Sequence, residues 1–150
     1  MKVSFTPKEY SRILELAWLG LWVAGARPDD PATTPERYRD ASQKLFGIAE
    51  DFGCAEFVAA ASDATLLPSR KLSEGPAREK LDQFLDDTFW AELVQRLAER
   101  DLRAELGATK LSDDLDEHET ARLHEMEDNY WREFEKRGVD DVVVLRAGRG

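Results

Sequence analysis

Residues 6–24 read TPKEYSRILELAWLGLWVA, and this stretch decides the fold. The Thr6 hydroxyl can accept from a free amide of a first helical turn. Pro7 pre-sets the first helical residue, and Glu9 closes a capping box. The spacing predicts a helix running to about Ala24, stopped by Gly25 and Pro28. Ile13, Leu14, Leu16, Trp18, Leu19, Leu21, Trp22 and Val23 leave it almost no polar face. A helix apolar on all sides is the centre of a bundle or half of a subunit contact. Ala17, Gly20 and Ala24 add a stripe of small residues that would let a second helix come close. The uncharged run from Leu16 to Ala26 is eleven residues, against about 20 needed to span a bilayer. Ala24, Gly25 and Ala26 resemble a leader cleavage site, but Pro7, Glu9 and Glu15 do not suit a secretory leader. The expected location is the cytoplasm.

Outward from this helix, residues 25–33 (GARPDDPAT) carry turn chemistry. Thr33-Thr34-Pro35-Glu36 repeats the helix start, and Tyr38, Ala41, Leu45, Ile48, Ala49 and Phe52 fall on one face before Gly53. Cys54 to Ala61 reads as a short helix and Ser62 to Gly75 as an irregular connection. Leu81, Phe84 and Leu85 open a third apolar face whose phase does not survive, since its continuation would bury Glu92 and Gln95. The expectation is a break near Asp86-Asp87-Thr88, with a kinked continuous helix as the alternative, and an end at Leu106-Gly107. A last long helix opens at Ser112 or Asp113 and ends at Lys136-Arg137-Gly138, with Leu123, Met126, Tyr130 and Phe134 inward. Val139 to Arg146 changes period and reads as a strand, for which Lys2 to Phe5 is the available partner. The fold class is therefore all-α: a compact bundle of five or six helices, with a short two-stranded element joining the termini. Residues 1–146 form one domain and 147–150 a flexible tail.

The chain has 150 residues, and 31 acidic against 21 basic side chains leave a formal charge of −10. Such a field is repelled by phosphate, which excludes a general nucleic-acid binder and an anionic-membrane binder. A single cysteine, Cys54, excludes an internal disulfide framework and a thiolate zinc cage. The charge is uneven. Residues 113–141 hold twelve acids and four bases, hence eight of the ten net negative charges. A helix of this kind suits a basic partner, or simply presents a solvated face.

Reactive constellations are scarce. His118 and His124 are six apart, which on a helix turns the second ring about 120° from the first, so they do not converge on one metal. The zincin pattern would need histidine at 122, where Arg122 stands. No nucleophile elbow, phosphate-binding glycine loop or calcium loop occurs. Asp113, Asp114, Asp116, Glu117 and Glu119 are explained as dipole and cap residues of a helix N-terminus. Trp18 and Trp22, four apart, share one face and either fill a core or anchor an interface.

The expectation is a non-enzymatic interaction protein without cofactor or metal, self-associating through the first helix or the terminal strands. Trp18 and Trp22, together with Asp113, Asp114, Asp116, Glu117 and Glu119, are the candidate interaction residues. One alternative is an acidic partner, or nucleic-acid mimic, of a basic protein. The other is a metal protein or enzyme using His118 or His124.

Overall fold

A computed structural model of the chain describes residues 4–25, 34–61, 63–107 and 115–143. The chain is predominantly helical and divides into two compact units, residues 1–85 and 86–150.

The first unit is organised by α1 (Pro7–Ala24). Its start follows the sequence pattern: the Glu9 amide donates to the Thr6 hydroxyl at 3.3 Å, and the Thr6 amide donates to the Glu9 carboxylate at 2.8 Å. The bond from the Thr6 amide, with one from the Thr6 hydroxyl at 2.8 Å, holds the Glu9 carboxyl below its ordinary value. Only Tyr10, Leu14 and Trp18, four apart, are fully buried along α1. The helix thus uses one stripe, not its whole circumference. Against this stripe lies α2 (Glu36–Gly47), with Phe46 buried. The Tyr10 hydroxyl donates to the Leu45 carbonyl at 2.8 Å, and its ring stacks on Phe52 at 4.2 Å. The second helix is shorter than its apolar spacing suggests. After Gly47 the chain tightens into a single turn, Glu50–Phe52, and Gly53 takes a left-handed φ of 67°. This turn buries Ala49 and brings Cys54 under α1, where its thiol donates to the Pro7 carbonyl at 3.3 Å. Cys54 is packed in the core, and burial pushes its thiol up.

Cys54 to Ala61 is not the expected helix. One turn, Ala55–Phe57, leads into β1 (Val58–Ala60), which pairs antiparallel with β2 (Leu66–Pro68), Ala59 facing Leu67. The outer edge of β2 is occupied by a side chain. The Leu66 amide donates to the Gln43 amide oxygen at 2.9 Å, and the Gln43 nitrogen donates to the Leu66 carbonyl at 2.7 Å. A short α3 (Arg70–Ser73) follows and buries Leu72. Ala77 and Leu81, at the start of α4 (Pro76–Leu106), complete this core.

The expected break at Asp86-Asp87-Thr88 does not occur, because α4 is continuous. Nothing between Ala77 and Leu106 breaks a helix, since neither proline nor glycine intervenes. Ion pairs four apart (Arg78–Asp82, Glu92–Arg96 and Glu99–Arg103) brace it. The apolar phase shifts because the two ends of α4 serve different cores. Ala77 and Leu81 belong to the first; Val94, Ala98 and Leu102 are buried in the second unit; and every residue from Asp82 to Phe89 is exposed.

In the second unit α4 packs on α5 (Glu117–Arg137), with Ala98, Leu102 and Met126 as the buried cluster. Trp90 and Phe134 meet at 5.5 Å between ring centroids. Gly138 ends α5 with a φ of 56°, and its amide donates to the Phe134 carbonyl. The predicted strand from Val139 is not formed over its described part: Val139 to Asp141 make a turn, closed by the Val142 amide on the Val139 carbonyl at 3.0 Å. Its remainder, the tail 147–150 and Lys2-Val3 of the proposed partner lie outside the described residues, and Ser4-Phe5, the described part of that partner, form no strand.

Candidate functional site

Two surfaces merit a chemical reading, one in each unit. In the second, α4 and α5 enclose a groove of about 520 Å³ whose walls include Asp101, Glu105, Arg122, Met126 and Tyr130. The Tyr130 hydroxyl donates to the Asp101 carboxylate, and Arg100 donates to the other oxygen of the same carboxylate at 2.7 Å. Arg122 is gripped from two sides, by Glu105 and by Glu125, each at 2.7 Å. Burial pushes the Asp101 carboxyl up, but its bonds from Tyr130 and Arg100 outweigh this and leave it below the ordinary value. Burial, and then the neighbouring Asp101 carboxylate, push the Tyr130 phenol up. The Arg122 guanidinium is held more firmly protonated, chiefly by Glu105. A general acid–base catalyst needs a group poised near the working pH. These shifts move the phenol and the carboxylate away from it in opposite directions. Among the described residues no buried side-chain nitrogen or oxygen lacks a partner. The groove is therefore a satisfied polar seam between two helices. No spacing in the sequence joins Asp101 to Tyr130, and no motif would have found the pair.

The histidines do not enter it. His118 and His124 are both exposed, and among the described residues no three His, Cys, Asp or Glu side chains gather as a metal site. Asp116 and Glu119 form a reciprocal cap: the Glu119 amide donates to the Asp116 carboxylate at 2.9 Å, and the Asp116 amide to the Glu119 carboxylate at 3.0 Å. Glu117 is exposed beside them. Asp113 and Asp114 lie outside the described residues.

The second surface is the outer face of α1. Trp18 is not part of it, being 3% exposed in the core. Trp22 is half-buried, edge-on to Trp18 at 6.2 Å, with the Arg78 guanidinium 5.6 Å from its ring. The outward positions are Leu16, 67% exposed, and Val23, 84% exposed, with Gly20 between them. A Cβ added to Gly20 would touch nothing within 4 Å. A glycine inside a helix is about 1 kcal/mol less favourable than alanine, and among the described residues no close neighbour requires one at this position. Beside it a shallow, mostly apolar groove of about 200 Å³ runs between α1 and α2, its walls including Ala17, Gly20, Leu21, Tyr38, Ser42 and Leu45.

No family model, curated protein or solved structure matches the chain.

Proposed function

We propose that the protein is a non-enzymatic interaction module that self-associates through the outer face of α1. The observation carrying this reading is the row Leu16, Gly20 and Val23: two large apolar side chains in water flanking a bare backbone position, alongside an apolar groove. Exposed apolar rows beside a groove are characteristic of contact surfaces. The α4–α5 groove supports catalysis less well, because its ionisable groups are committed to one another. Sedimentation velocity over a wide concentration range tests the proposal. Wild type should show reversible association, and the Leu16→Glu, Val23→Glu double variant should stay monomeric with unchanged helical content. A wild-type chain that is monomeric throughout would refute it.

A second reading, an acidic surface for a basic protein, rests on the outward stripe of α5. Glu117, Asp128 and Glu135 lie on this exposed face with His124 and Trp131, and Trp131 is 37% exposed. None of these three acids forms an ion pair with another described residue, whereas Glu125 and Glu133 are paired with arginines.

A further inference from the structure

We draw no further inference here: the strongest candidate, the groove between α4 and α5 walled by Asp101, Glu105, Arg122 and Tyr130, belongs to the site already described, where these groups are bonded to one another and no buried side-chain nitrogen or oxygen among the described residues is left to meet a ligand.

Discussion

Tyr130 on α5 donates its hydroxyl to Asp101 on α4, joining positions 29 apart in the chain. This bond, the Arg100 guanidinium's bond to the same hydroxyl at 3.2 Å and the Glu105–Arg122 bridge tie α4 to α5. Replacing Tyr130 by Phe removes one donor while leaving Asp101 its bond from Arg100, and should cost about 1 kcal/mol. Urea denaturation monitored by tryptophan fluorescence would measure it.

The same pair predicts a pH dependence. Asp101 titrates below the ordinary aspartate value in the folded chain. Its contribution to stability is therefore complete above the unfolded value of about 3.9 and is lost as pH falls through the lower folded value. The difference in stability between wild type and Asp101→Asn should be constant from pH 7 to pH 5 and shrink below pH 4. A difference that grows on acidification would contradict the assignment.

Leu14 and Leu16 stand two residues apart on α1 and should behave oppositely. Leu14 is 0% exposed and Leu16 67%. Leu14→Ala should lose about 2–5 kcal/mol of stability. Leu16→Ala, examined at low concentration, should remain within about 0.5 kcal/mol of wild type. Thermal melts of the two variants side by side decide this.

Continuity of α4 is testable at Thr88. In an unbroken helix, Thr88→Pro removes a backbone bond and clashes with the preceding turn, at about 3 kcal/mol or more. Had the chain broken at Asp86-Asp87-Thr88, proline would be tolerated. Circular dichroism and melting temperature of this variant distinguish the two.

The outward stripe of α5 gives a prediction for the acidic reading. Polylysine should bind at low salt, weaken steeply as salt rises, and bind less well to the Glu117→Gln, Asp128→Asn, Glu135→Gln triple variant. Binding indifferent to both salt and these substitutions would dismiss it.

Some helix ends were legible from local chemistry alone, although α2 stops at Gly47 rather than running to Gly53 and α5 starts at Glu117, capped by Asp116, rather than at Ser112 or Asp113. Thr6-Pro7-Glu9 and Gly138 mark the start of α1 and the end of α5 because caps are formed by residues three or four apart. The continuity of α4 was not legible: a shift in apolar phase looks the same whether a helix breaks or serves two cores. The β1–β2 hairpin was missed because Val58-Ala59-Ala60 contains alanines, which are strong helix formers, and because its edge is completed by Gln43, 23 residues away. On α1 the sequence showed apolar residues all round without saying which were outside. Packing chose Trp18 for the interior and left Leu16 and Val23 in water.

The Gln43 side chain has a consequence for the behaviour of the hairpin in concentrated solution. An exposed strand edge is a template onto which other chains can add, and the shortness of Leu66-Leu67-Pro68 already limits it. By taking both outward backbone groups of Leu66, the Gln43 carboxamide fills the seat an invading strand would use, and Pro68 offers no donor beyond it. Ribbon-like growth along the outer edge of β2 is thereby blocked.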